Sequence, residues 1–198
     1  MSLFEQLITG GNRFNRVFLD INYRTAHPEM VSFISDLVYD GRLSPNTASD
    51  YYKLSPAGRK KFFPHPIEIV DTAGISDPKL RAETEINSTY YNLTEAMLCV
   101  RQVLNLLEDG EKLTDIAVIT PYKAQVEKVK EVFKENFHYF SVPESVFQEF
   151  IENRIYTIDS FQGREEEIVI ISWVRSNYEP GQPRKTGFFK DFRRVNVS

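Results

Sequence analysis

YTIDSFQGREEEIVIISWVRSN (Tyr156–Asn177) decides how this chain is read. Two apolar runs, Ile155–Ile158 and Ile168–Val174, flank a polar stretch that contains one glycine. The second run is nearly continuous in β-branched residues, the composition of a central parallel strand buried on both faces. Asp159-Ser160-Phe161-Gln162-Gly163-Arg164-Glu165 between them is longer and more polar than a simple turn requires. Gly163 permits close backbone approach, Glu165 offers a carboxylate to a ribose hydroxyl, and Gln162 and Arg164 offer polar contacts. The same acidic run, Glu165-Glu166-Glu167, also suits a solvated helix start, where carboxylates favour the local dipole.

Working outward, the same alternation of strand and helix recurs. Asp115–Thr120 is a compact strand. Thr120-Pro121 then caps and starts a helix near 122–134, with Ala124, Val126, Val129, Val132 and Phe133 on its buried face. Leu93, Met97, Val100, Val103, Leu104 and Leu107 recur at three- and four-residue steps, predicting a helix over 92–108 that Gly110 stops. Ile67–Val70 reads as a short strand, and Asp71-Thr72-Ala73-Gly74 after it as a turn. Its likeness to a GTPase segment fails for want of a phosphate loop before it and a base-reading motif after it. VFLDINYR is a short strand running into a loop. Pro28 opens a helix with Phe33, Ile34, Leu37 and Val38 as its apolar stripe, ended by Asp40-Gly41. Residues 42–66 read as a peripheral excursion and 134–153 as a short helix or irregular insertion. Strands alternating with long helices predict an α/β fold, a mainly parallel sheet with helices on both faces.

The bulk numbers bound the function. A chain of 198 residues with 41% hydrophobic content is expected to be one domain, or one domain with an insertion, with a real core. Its 24 basic and 28 acidic residues, a net charge of −4, exclude a polybasic tail but allow a local cationic groove. The single cysteine, Cys99, sits in a helical apolar pattern and reads as a small core residue; neither a disulfide scaffold nor a metal site is expected. No secretory signal or membrane-length apolar run occurs, so an intracellular protein of nucleus or cytoplasm is expected, with no membrane partner.

Candidate ligand residues gather where strands end. Tyr23 could stack on a flat base and Arg24 present a planar fork to phosphate oxygens, although by themselves the residues favour a buried Tyr beside a surface Arg. Thr120 and Pro121 stand where exposed N–H groups suit a backbone phosphate, and where ordinary capping explains them as well; Lys123 and Gln125 are polar additions that capping does not require. Arg193 and Arg194, with Arg175 and Lys190, form the one dense cationic cluster, or simply a solvated end. No GxxxxGK followed by Ser or Thr occurs anywhere, so this polypeptide cannot complete an ATP site in the usual way.

Together, NYRTAHP, TPYKAQ, TIDSFQGREEEIVIISWVRSN and GFFKDFRRVNVS resemble, in order, the motifs of the second motor domain of superfamily 1 helicases, most closely the Upf1-like group. The resemblance covers roughly residues 15–198 and leaves 1–14 as an extension or linker. It implies a RecA-like, P-loop NTPase-like sheet that lacks its own phosphate loop and closes an ATP cleft against a first RecA-like domain. It implies that Tyr23 stacks on adenine, that Arg24 acts near the γ-phosphate, and that Gly163 and Glu165 lie at the ribose. Thr120 and Pro121 would meet the backbone of single-stranded RNA or DNA. Asp159 and Ser160 would connect the two ligand faces, and Arg193 and Arg194 open the last motif. ATP and Mg²⁺ are implied for an intact two-domain enzyme, whose Mg²⁺-holding acidic pair would lie in the first domain. Two departures stand out. Thr25-Ala26-His27-Pro28 is one residue longer than the family's Met-His-Pro, and the sequence stops at Asn196-Val197-Ser198, short of the family's Leu-Thr-Arg-Ala. The chain is therefore expected to be a piece of a helicase, inactive alone; the alternative is a non-enzymatic interaction or regulatory domain of the same ancestry.

Overall fold

The computed structural model describes residues 17–23, 27–47 and 66–175. The chain divides into two compact units, Met1–Ile69 and Val70–Ser198.

In the first unit, β1 (Ile21–Asn22) pairs in parallel with β2 (Ser44–Pro45). Between them runs α1 (Pro28–Val38), with Pro28 in its first turn. His27 caps it, its Nδ1 accepting from the Glu29 N–H. As the Asp40-Gly41 pair suggests, both residues take positive φ and the Gly41 N–H bonds back to the Ser35 carbonyl, closing the helix end. The buried face differs from the expected one. Val31 and Ser35 are buried, while Phe33 and Leu37 are exposed. The cause is a polar clamp: the Ser35 hydroxyl donates to the Leu43 carbonyl (3.0 Å) and accepts from the Leu43 N–H (2.9 Å), turning that side of the helix inward.

In the second unit, the first described segments are short. Asp71 caps a 3-10 turn, Thr72–Gly74, as the turn reading of that segment implied. Then come α2 (Pro78–Arg81) and a hairpin, β3 (Thr84–Ile86) with β4 (Thr89–Tyr91). Asn87 and Ser88 both take positive φ, the two-residue turn whose twist suits a hairpin. Ile67–Val70, expected as a strand, forms none: Ile69 and Val70 are exposed. Three apolar residues among four make a strand only when a neighbouring backbone completes the ladder.

The core is a parallel sheet in the order β6-β5-β7: β5 (Ile116–Thr120), β6 (Ile155–Thr157) and β7 (Ile168–Ile171). The helices are α3 (Leu93–Glu108), α4 (Lys123–Glu135), α5 (Glu144–Asn153) and α6 (Ile158–Phe161). They cover both faces, an arrangement consistent with a RecA-like fold. On one face Ala117 and Ile119 pack against Ile158 and Phe161 of α6, with Val169 and Ile171 beside them. Side chains alternate along a strand, so Ser172 points to the opposite face. There its hydroxyl meets Gln125 of α4 and Glu95 of α3.

Three local expectations change. The central strand is β5, every residue of which is buried; β7 is half-buried and pairs only with β5 among the described residues. β-branched content marks both strands alike and cannot rank them. Ile158 leaves its strand and opens α6, because Thr157 and Ser160 form a reciprocal capping box. The buried stripe of α3 is Ala96, Cys99, Val100, Val103 and Leu106, with Leu93 and Met97 exposed. The helix thus meets the core along a stripe rotated from the expected one, with small residues at 96 and 99 buried in it.

Candidate functional site

In a parallel sheet all strands end on one edge, and ligands of open α/β folds bind there. Three exits meet that description: Thr120-Pro121-Tyr122 after β5, α6 after β6, and Ser172–Arg175 after β7.

Thr120 closes β5 and is fully buried, and its Oγ1 has no hydrogen-bond partner. It is not the cap of the next helix. That position belongs to Tyr122, and Pro121 stands outside the helix in a bend. Tyr122 packs edge-on against Tyr90 of the hairpin (5.4 Å between centroids), and the Arg175 guanidinium lies 4.5 Å from the Tyr90 ring centre. Arg175 also reaches Glu83 (3.3 Å). Burial alone would lower the Arg175 pKa, but its bonds to Tyr122 and Glu83 outweigh this and hold it above its ordinary value. Burial raises the Tyr122 phenol, and Arg175 pulls it partly back. A hairpin that carries none of the recognised motifs thus braces two of the three exits.

On α6, Asp159 and Ser160 are exposed, with Ser160 engaged in the capping box. Gly163 takes φ +86°, and a Cβ built on it would meet nothing within 4 Å, so the requirement for glycine is conformational. Arg164 lies over the Tyr156 ring (4.9 Å). The acidic run divides: Glu165 and Glu167 are exposed, whereas Glu166 turns to Arg154 (2.6 Å).

Sequence reasoning missed the joint beneath these exits. Gln125, singled out only as a polar addition, is fully buried. Its Oε1 accepts from the Asn92 N–H (2.7 Å), and its Nε2 donates to the Asn92 carbonyl (3.1 Å) and to Ser172 Oγ (3.0 Å). Ser172 Oγ donates in turn to Glu95 (2.7 Å), whose same oxygen accepts from the Val174 N–H (2.8 Å). Asn92 caps α3 through its Oδ1 and donates from Nδ2 to the Arg81 and Val174 carbonyls. The Asn92-x-x-Glu95 spacing ahead of an apolar helix is a capping signal, and was the one local clue.

Tyr23 follows β1 in the first unit and is 73% exposed. Arg24, Arg193 and Arg194 lie outside the described residues. Among the described residues no group of three or more His, Cys, Asp or Glu side chains gathers to hold a metal, so the donors for Mg²⁺ do not fit here, and no helix is long and apolar enough to cross a membrane.

A family model described as AAA domain matches residues 1–198. DNA polymerase alpha-associated DNA helicase A of Schizosaccharomyces pombe is 33% identical over all of this chain and 28% of its own length. ATP-dependent helicase NAM7 of Saccharomyces cerevisiae is 33% identical over 99% of this chain and 18% of its own length. Helicase SEN1 of the same yeast is 31% identical over 91% of this chain and 8% of its own. The chain thus spans less than a third of the length of each of these relatives.

Proposed function

Because the chain belongs to the AAA domain family, as a superfamily 1 helicase domain of the Upf1-like group, we propose that it is the second, C-terminal RecA-like motor domain of an ATP-dependent RNA or DNA helicase. The carrying observation is the carboxyl edge of the parallel sheet, where TPY after β5 and TIDSFQGRE after β6 come side by side.

In this reading the protein grips a single strand by its sugar–phosphate backbone, largely without regard to sequence. Pro121, Asp159 and Ser160 line the outer side of the edge, and Thr120 supplies a hydroxyl held dry beneath it. Tyr23 would stack on adenine, Arg24 sit near the γ-phosphate, and Gly163 and Glu165 shape and contact the ribose side. Arg193 and Arg194 add charge from the last motif. ATP supplies a transferable phosphoryl group whose hydrolysis drives the opening and closing of the cleft. The phosphate loop and the Mg²⁺-holding carboxylates would come from a first RecA-like domain, so this chain alone does not turn over ATP. Its site of action is intracellular, in nucleus or cytoplasm.

The first test is titration of the chain with fluorescent oligouridylate and oligodeoxythymidylate. The expected result is weak binding that falls steeply between low and physiological salt, since each neutralised phosphate releases counterions. Absence of binding to both at low salt would sink the nucleic-acid part of the reading. The second test uses a longer polypeptide that includes a phosphate-loop domain. Removing the Tyr23 ring should raise KM, while Arg24→Ala should mainly lower kcat, because its charge matters most as negative charge gathers on the transferring group. An Arg24→Ala variant with unchanged kcat would show that this arginine points away from the cleft.

A further inference from the structure

The exit of β7 carries one of the four non-glycine residues with positive φ among the described residues, and the only β-branched one of them. Val174 takes φ +72°, although it is β-branched and fully buried. The Arg175 N–H bonds to the Trp173 carbonyl (2.8 Å), closing a three-residue turn around Val174. A turn of this kind with positive φ at its centre is rare and strained, and a β-branched residue there is an outlier. Such a conformation persists only where the surroundings over-determine it, and it clusters at functional sites. Here both peptide groups of Val174 are held. Its N–H goes to Glu95 (2.8 Å), and its carbonyl accepts from Asn92 Nδ2 (3.3 Å). Arg175 is then pinned by Glu83 and Tyr90.

The turn has one consequence for the surface. The ladder runs one step past β7, with the Ser172 N–H on the Ile119 carbonyl (3.0 Å), so Trp173 falls level with Pro121. By alternation Trp173 continues the face of Val169 and Ile171, the side of α6. Instead of entering the core as they do, it is 37% exposed at the carboxyl edge, between a buried Ser172 and a buried Val174. It is the only tryptophan of the chain. A wide aromatic surface at the end of a sheet, next to the segment proposed to meet the strand's backbone, suits the face of an unpaired base.

We propose that Trp173 is a stacking contact for a base of the bound single strand, and that Glu95 and Asn92 are positioning residues that hold it there through the strained turn at Val174. This rests on the reading that the carboxyl edge meets a single strand. The shared chemistry is an unpaired base, and RNA and DNA are separated by the arms of the test.

The full chain is titrated with oligouridylate and with oligodeoxythymidylate at low salt. Binding is followed by oligonucleotide anisotropy and, in parallel, by tryptophan emission, which reports Trp173 alone. Saturation should quench the emission. Trp173→Ala should raise Kd roughly tenfold, about 1.4 kcal/mol, and Trp173→Phe should stay within about threefold. Glu95→Ala should weaken binding in the wild-type background and add little on top of Trp173→Ala, because it acts through that ring. A merely structural Glu95 would weaken both backgrounds equally, and that result would overturn the positioning role. Binding by anisotropy with unchanged emission, and with Trp173→Ala binding like the wild type, would overturn the stacking contact while leaving the helicase reading standing. No binding of either oligonucleotide would remove that reading of the edge and the inference with it.

Discussion

Gln125→Leu should destabilise this protein by about 2–4 kcal/mol without touching any exposed residue. The replacement is close in volume and apolar, so packing is nearly conserved. What is lost is the joint between α3, α4 and β7. The Asn92 N–H, at a residue 1% exposed, loses its acceptor, and an orphaned buried donor costs about 1–3 kcal/mol. The other two groups are better off. The Asn92 carbonyl keeps its bond from the Ala96 N–H, and Ser172 Oγ keeps its bond to Glu95. Each of those two lost bonds therefore costs about 0.5–1.5 kcal/mol, and relief from burying an amide offsets part of the sum. At this chain length about 2–4 °C accompanies each kcal/mol, so the melting temperature should fall by roughly 5–15 °C. Urea unfolding followed by circular dichroism measures it, with an unchanged slope showing that only stability moved. A Leu variant within about 0.5 kcal/mol of the wild type would refute the reasoning. Loss of oligonucleotide binding at unchanged stability would make Gln125 a ligand group instead of a joint.

Three further outcomes follow from single contacts. Thr120→Val should leave stability unchanged or raise it by about 1 kcal/mol in the same assay, since the hydroxyl is buried without a partner; a clear loss would reveal a partner for it. Cys99 is buried, and burial first, then the nearby Glu95 charge, push its thiol from 9.0 to about 12. At pH 8 it should resist alkylation until the protein unfolds, and stability should fall as pH rises from 9 toward 12, because only the unfolded thiol ionises there. Glu166→Ala leaves the mostly buried Arg154 only its longer pair with Glu149 (3.7 Å) and should cost about 1–3 kcal/mol by denaturant titration, whereas Glu167→Ala, on an exposed side chain, should stay within about 0.5 kcal/mol.

The sequence by itself determined where the two long helices and the three sheet strands of the second unit lie, but not the hairpin Thr84–Tyr91. The helices at 93–108 and 123–135 and the strands at 116–120, 155–157 and 168–171 follow from apolar periodicity and capping residues, which are properties of neighbouring positions. It also located the polar segments at the strand ends, because they interrupt apolar runs. Tertiary structure decided the rest. β5 is central because strands on both sides complete its ladders, a fact no composition records. Ala96 and Cys99 are buried while Leu93 and Met97 are exposed, because what α3 packs against, and not its own periodicity, sets which side turns inward. Gln125 is a joint only because Asn92 and Ser172, distant along the chain, arrive at its two ends. Val174 can hold its strained turn only where Glu95 and Asn92 meet both sides of it. Each of these depends on contacts between residues far apart in sequence, and such contacts exist only after the chain has folded.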